Sequence, residues 1–188
     1  APPLTLSLQA DASPHSVAAQ RLTRKMLLRL LLASYLGVAP RDLRLGKLAG
    51  GKPYIAEPKC SGLNFSVSYS IGFVLVAVSG VERMGVDLEV LTRVVKAPLA
   101  VAKRYFATAE HQQLLASSHA GEQRREFLRL WTRKEAVVKA TGGGIVSGLD
   151  QFVVQDDPEY PELMSMVGEN VSDWRLIHLE PVPGLVGT

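Results

Sequence analysis

The sequence predicts an α+β protein. Three extended runs follow one another between residues 63 and 90 with no helix between them, which argues for antiparallel pairing. Both parts of the chain carry helical patterns beside sheet-like segments without strict strand–helix alternation, which favours α+β over a doubly wound plan. At 188 residues the chain has the length of one compact domain or two small packed ones.

In chain order, LTLSL (4–8) reads as a short strand. Residues 16–36 read as the first helix, with Leu22, Met26, Leu30 and Ala33 on one stripe, Leu27, Leu31 and Tyr35 widening it, and Gly37 ending it. The run RLTRKMLLRLLLASYLGVA (21–39) has the layout of a signal peptide. Arg29 interrupts it, it begins well inside the chain and it is short for a bilayer, so a buried helix is expected. LGKLAGGKP (45–53) carries turn signals and precedes a short extended piece at Tyr54 and Ile55. LNFSVSYS (63–70) alternates as half-buried strands do, FVLVAVS (73–79) reads as a central strand, and MGVDLEV (84–90) follows the Gly80 turn as another. Helices are expected at about 98–106, about 109–116 and about 122–140, the last stopping at Gly142, Gly143 and Gly144. QFVVQ (151–155) and WRLIHLEPV (174–182) are the remaining strand candidates.

The charge balance is mildly basic, with net charge +3 and a pI of about 9.1, which suits an anionic ligand or an acidic partner and does not demand nucleic acid. Cys60 is the only cysteine, so no internal disulfide forms and a reducing, cytoplasmic setting is expected. The four histidines show no metal-ligand spacing with it. The chain begins with alanine in place of methionine, which leaves room for residues upstream.

Three polar clusters carry the chemistry. In GVDLE (85–89), Asp87 and Glu89 share one face of a strand while Val86 and Leu88 point into the core. Two adjacent anions fit either a solvated strand face or a hard divalent cation such as Mg²⁺. Trp131, Glu135 and Lys139 share one helical face. Glu135 before Lys139 is also the order of an ordinary surface pair, although the tryptophan suggests a partly buried stripe that extra glycines let a ligand approach. The third cluster is cationic and scattered: Arg24, Lys25, Lys47, Lys52 and Lys134, with Ser66, Ser68 and Ser70 along one strand face; together these could hold phosphates, and singly each reads as a surface charge.

In combination, GVDLE and FLRLWTRKEAVVKATGGG (127–144) resemble the paired motifs of the Sfp-type 4′-phosphopantetheinyl transferases, G-[IV]-D-[IVL]-E and W-x-x-K-E-A-x-x-K-x-x-G-x-G. GGKPYI (50–55) is similar to that family's G-K-P loop, NFSVSYS (64–70) to its F-N-x-S-H-S strand, and AKRYFATAEHQQL (102–114) to its helix with F-x-x-x-E. The resemblance implies two similar α+β halves related by pseudo-twofold symmetry, here 1–83 and 84–188, with coenzyme A between them. It implies transfer of the phosphopantetheine arm of coenzyme A to a serine of an acyl or peptidyl carrier protein, leaving 3′,5′-ADP. Asp87, Glu89 and Glu135 match the acids for Mg²⁺, or Mn²⁺ in its place. Lys139 matches the lysine beside the reacting phosphate, and Glu135 or a metal-bound water takes the serine proton. Lys134 matches a residue near the coenzyme A phosphates, Lys25, Lys47 and Lys52 fall near basic contacts to the nucleotide end, and Ser68 and Tyr69 lie in the substrate-binding strand.

One departure is specific to this chain. Tyr69 stands where the family usually has a histidine that contacts the nucleotide 3′-phosphate, and a tyrosine brings no positive charge. A weaker hold on that phosphate is expected, or a compensating lysine nearby, and a catalytically impaired homologue is the alternative. A metal-dependent nuclease is a remote one, since its Glu and Lys usually lie two apart on a strand. Arg125, Arg129 and Arg133 recur every four residues and read either as a dock for an acidic carrier or as a solvated face paired with Glu122 and Glu126. The size favours a monomer, and no membrane span or nucleic acid is expected.

Overall fold

The computed structural model describes residues 4–7, 14–59, 61–143 and 148–188; Leu8, Cys60 and Gly144 lie outside them. The apolar run at 73–79 forms β5 (Phe73–Ser79), the centre of an antiparallel sheet in the order β1 (Leu4–Ser7), β5, β4 (Asn64–Ser70). Helix α1 (Pro14–Leu36) lies against this sheet, with Leu28 and Leu32 meeting Phe65, Val74 and Val76. The buried stripe differs from the expected one. Ala33 is buried, but Leu22, Met26 and Leu30 are 60%, 55% and 51% exposed. The helix is apolar on nearly every side between Met26 and Leu32, so periodicity alone could not select its inner face.

The segment expected to be a loop at 45–53 is a hairpin, β2 (Arg44–Lys47) paired with β3 (Pro53–Glu57). Strand β6 (Leu88–Val90) is shorter than the run 84–90, and it pairs with β9 (Leu185–Gly187) and not with β5. Helices α2 (Pro98–Tyr105), α3 (Thr108–Ala116) and α4 (Ala120–Thr141) fall where the periodicity places them. Strand β7 (Phe152–Val154) pairs with β8 (Leu163–Met166), whose four residues LMSM carry too little pattern to read. The candidate at 174–182 is not a strand; its Leu179 makes a single bridge to Gly187. Among the described residues no helix is long and apolar enough to cross a membrane.

The second core is built on α4. Phe106, Phe127 and Trp131 stack with centroids 5.4 Å and 5.9 Å apart along the chain Phe106–Phe127–Trp131. From Thr132 to Val138 every residue of α4 is buried, so polar side chains there need internal partners. This overturns the arginine ridge. Arg129 grips Asp156 through two hydrogen bonds of 3.0 Å and 2.9 Å, and Arg133 donates to the carbonyls of Gln155 and Asp157 with no exposed surface. Of the three, only Arg125 is fully exposed.

Candidate active site

The site begins with how β6 is held. Ser66, Ser68 and Ser70 alternate along β4, and their hydroxyl oxygens accept the backbone N–H groups of Val86, Leu88 and Val90 at 3.0, 3.2 and 3.2 Å. Side chains thus replace a backbone ladder between β4 and β6. The same hydroxyls donate onward, Ser68 to Asp87 Oδ1 at 2.6 Å and Ser70 to Glu89 Oε2 at 2.7 Å. Ser68 was expected to touch a ligand; its hydroxyl is instead buried and committed to β6.

The other wall is α4. Gly85 lets the chain entering β6 touch this helix, since a Cβ there would lie 1.9 Å from the Ala136 carbonyl oxygen and 2.6 Å from the Ala140 nitrogen. That approach brings Asp87 to Lys139, whose Nζ donates to Asp87 Oδ1 at 2.6 Å and to the Val86 carbonyl at 3.0 Å. The cation therefore pairs across the junction, and not with Glu135 one turn earlier. Gly85→Ala is expected to part β6 from α4, costing about 3 kcal/mol in chemical denaturation and lowering activity with it.

Glu135 is buried beside these groups. Burial first, then the charges of Asp87 and Glu89, push its carboxyl up to about 6, against the pull of Lys139. Burial likewise raises Glu89, with Ser70 and Arg93 opposing. Among the described residues no three acids close around a single ion position. Glu89 is occupied by Ser70 and by an ion pair with Arg93. Asp87 Oδ2 and Glu135 Oε1 are buried with no hydrogen-bond partner. Two such oxygens suit Mg²⁺, which binds one or two carboxylates and takes its other ligands from water and phosphate. The donor set thus fits a divalent ion through Asp87 and Glu135, while both oxygens of Glu89, the third acid expected, are already engaged.

The loop between β2 and β3 closes onto the end of α4. A Cβ on Gly50 would lie 2.1 Å from the Gly142 carbonyl oxygen. Lys52 Nζ donates to the carbonyls of Met84 at 3.2 Å and Ala140 at 3.1 Å, a cation at a helix C-terminus. Lys25 and Lys47 are exposed, on α1 and at the end of β2. Tyr69 is 40% exposed, with the Arg24 guanidinium 5.5 Å from its ring centroid.

Lys134 is a correction. It was expected near the coenzyme A phosphates, yet it has no exposed surface. Its Nζ donates to the carbonyls of Leu149 at 2.7 Å and Phe152 at 2.8 Å and pairs with Glu110 at 2.7 Å. Sequence reasoning missed Arg93, Glu110 and Asp156 as partners. Glu110 stood in the F-x-x-x-E segment; Asp156 had no local signal, because it lies 27 residues from Arg129.

In this mixed helix-and-strand protein a lysine and two unpartnered buried carboxylate oxygens thus meet at a strand–helix junction. Residues 83–185, more than half of the chain, match the model of the 4′-phosphopantetheinyl transferase superfamily, and the chain belongs to that superfamily. It is 36% identical over 158 residues to a putative 4′-phosphopantetheinyl transferase of Synechocystis, which covers 82% of this chain and 62% of that protein. It is 35% identical over 156 residues to the 4′-phosphopantetheinyl transferase HetI of Nostoc, covering 82% of this chain and 63% of HetI. Against the 4′-phosphopantetheinyl transferase Sfp of Bacillus subtilis the identity is 31% over 130 residues, covering 69% of this chain and 55% of Sfp. The chain spans less than two thirds of the length of each of these relatives.

Proposed function

We propose that this protein transfers the 4′-phosphopantetheine arm of coenzyme A to a serine hydroxyl of an acidic apo carrier protein, of acyl or peptidyl type. The observation that carries the reading is the pair of unpartnered buried oxygens, Asp87 Oδ2 and Glu135 Oε1, beside Lys139. A Mg²⁺ or Mn²⁺ ion held there would neutralise charge on the pyrophosphate. Lys139 exchanges its bond to Asp87 for one to the same phosphate and draws negative charge toward the leaving group. Glu135, whose carboxyl burial pushes up to about 6, accepts the proton of the attacking serine in its ionised form. A P–O bond to serine forms as the P–O bond to the nucleotide breaks, and 3′,5′-ADP leaves. Lys25 and Lys47 supply charge at the nucleotide end. Lys52 and Lys134 act by holding the frame, through the carbonyls they bind.

The reading includes two α+β halves, 1–83 and 84–188, related by pseudo-twofold symmetry, enclosing the site within a cytoplasmic monomer. The names of the relatives support the transferase part of the reading, and the superfamily match gives no support to the nuclease alternative. Tyr69 favours one second reading, a coenzyme A-binding homologue impaired in transfer. The test is mass spectrometry of apo carriers of fatty-acid, polyketide and peptide-synthetase type incubated with coenzyme A and Mg²⁺. A gain of one phosphopantetheine is expected on at least one carrier. Coenzyme A binding with no gain on any carrier would leave the impaired reading standing.

A further inference from the structure

We infer that Arg93 is a counter-ion that holds Glu89 away from the cation, so that the carboxylates of Asp87 and Glu135 alone bind the divalent ion and the affinity for it is set by an arginine outside the site. The inference rests on the metal-assisted reading of the Asp87–Glu135 site.

Glu89 lies beside Asp87 on one face of β6, close enough for the charges of Asp87 and Lys139 to act on it. The turn that follows β6 decides what it does there. The Leu91 N–H donates to the Gly184 carbonyl at 2.8 Å, which ties the end of β6 to the chain entering β9. The Arg93 N–H donates to the Val90 carbonyl at 2.8 Å and closes the turn. The Arg93 guanidinium is thereby carried back onto the residue four earlier and donates to Glu89 Oε1. The Ser70 hydroxyl donates to Glu89 Oε2 at 2.7 Å. Glu89 therefore has both oxygens engaged, whereas Asp87 Oδ2 and Glu135 Oε1 have no partner.

Exposed ion pairs contribute little, and many contribute nothing. This pair is unequal: the Glu89 side chain is 9% exposed and that of Arg93 is 43% exposed. The arginine caps a buried anion from the solvent side, and a buried carboxylate stripped of its partner is left with an uncompensated charge. The local balance follows. Asp87, Glu89 and Glu135 bring three negative charges, and Lys139 and Arg93 bring two positive ones. One surplus negative charge attracts a divalent ion weakly, so the ion depends on a phosphate ligand to complete its coordination. With Arg93 neutralised, the surplus doubles and Glu89 Oε1 becomes a third buried oxygen in need of a cation.

The experiment is titration of Mn²⁺ into four proteins, with bound ion read from the loss of the paramagnetic resonance signal of hydrated Mn²⁺. They are the wild type, Arg93→Gln, the double variant Arg93→Gln/Glu89→Gln, and Lys96→Gln. Arg93→Gln is expected to bind Mn²⁺ about tenfold more tightly than the wild type, the scale on which residues around a metal site move its affinity. The double variant restores the wild-type charge balance and should lose that gain, which assigns it to Glu89. Lys96 is exposed three residues further on, and its substitution makes the same charge change without touching Glu89, so it should leave the affinity within about twofold. Added Mn²⁺ should also raise the melting temperature of Arg93→Gln more than that of the wild type. Arg93 stands outside any helix or strand, so its replacement leaves the fold intact for these measurements. Unchanged or weaker Mn²⁺ binding in Arg93→Gln overturns the inference, as do a gain that survives in the double variant and an equal gain in Lys96→Gln. Carrier modification is followed in parallel. If the Mn²⁺ pattern is the expected one and no carrier is modified, the counter-ion role stands and the transfer reading fails.

Discussion

Glu135→Gln is expected to abolish carrier modification and, at pH 8, to make the metal-free protein more stable. The two effects have one cause. Glu135 is buried beside Asp87 and Glu89, and its carboxyl is raised from 4.5 to about 6 in the folded state. Between those values the folded protein holds more protons than the unfolded chain, so stability falls as pH rises through that window. Above pH 6 the penalty is complete, on the order of 2 kcal/mol. Glutamine keeps the shape and removes the charge, so the variant should gain about that much at pH 8 and nothing at pH 4. Denaturant melts of both proteins at the two pH values give the answer. The same substitution replaces the proton-accepting carboxylate with a neutral amide, whose one oxygen is a weaker ligand for a cation, so transfer should fall by roughly a thousandfold or more. Added Mg²⁺ should then raise the melting temperature of the wild type and leave that of the variant nearly unmoved. A variant less stable than the wild type at pH 8 would mean that the carboxylate is satisfied in the fold and is not held for a ligand.

The residues that could be read from sequence are those whose side is fixed by local geometry. A strand puts Asp87 and Glu89 on one face, and a helix puts Glu135 and Lys139 one turn apart, whatever surrounds them. What escaped reading depends on which surface arrives opposite. The alternation of NFSVSYS is plain, yet nothing in it says that its serines meet β6 instead of a phosphate. In α1 the apolar residues run nearly all round, so the inner face was set by the sheet against which the helix packs. In α4 the error was of another kind. Arg129, Arg133 and Lys134 look like surface charges because charged residues usually are, and their partners Asp156 and Glu110 come from segments remote in sequence. β6 was read too long, and β8 and β9 were not read at all, for a simpler reason: three or four residues hold no periodicity to measure.

Lys134→Met separates the structural role of that lysine from a ligand-binding one. Lys134 and Glu110 form an ion pair with almost no exposed surface, set between the rings of Phe106 and Phe152. Glu110 does more than balance the charge. One oxygen accepts the Val154 N–H at 2.9 Å and the other accepts the Ala107 N–H at 2.9 Å, so a single carboxylate ties α3 and β7 to α4. Removing the lysine leaves an uncompensated buried anion and two carbonyls without their donor, which should cost about 3–5 kcal/mol. Adding Glu110→Gln should recover part of that loss, because the amide oxygen still accepts a backbone N–H while the stranded charge is gone. A side chain that bound substrate phosphate would behave differently: its loss would weaken coenzyme A binding and barely move stability. Equilibrium denaturation of the single and double variants, with coenzyme A titrated into each at a temperature where it is folded, distinguishes the two. Large destabilisation with unchanged coenzyme A affinity is the expected result. It would place Lys134 with Glu110 and the Arg129–Asp156 pair among the buried charges that fix how α4 is rotated, and so which side of the helix Glu135 and Lys139 present to Asp87.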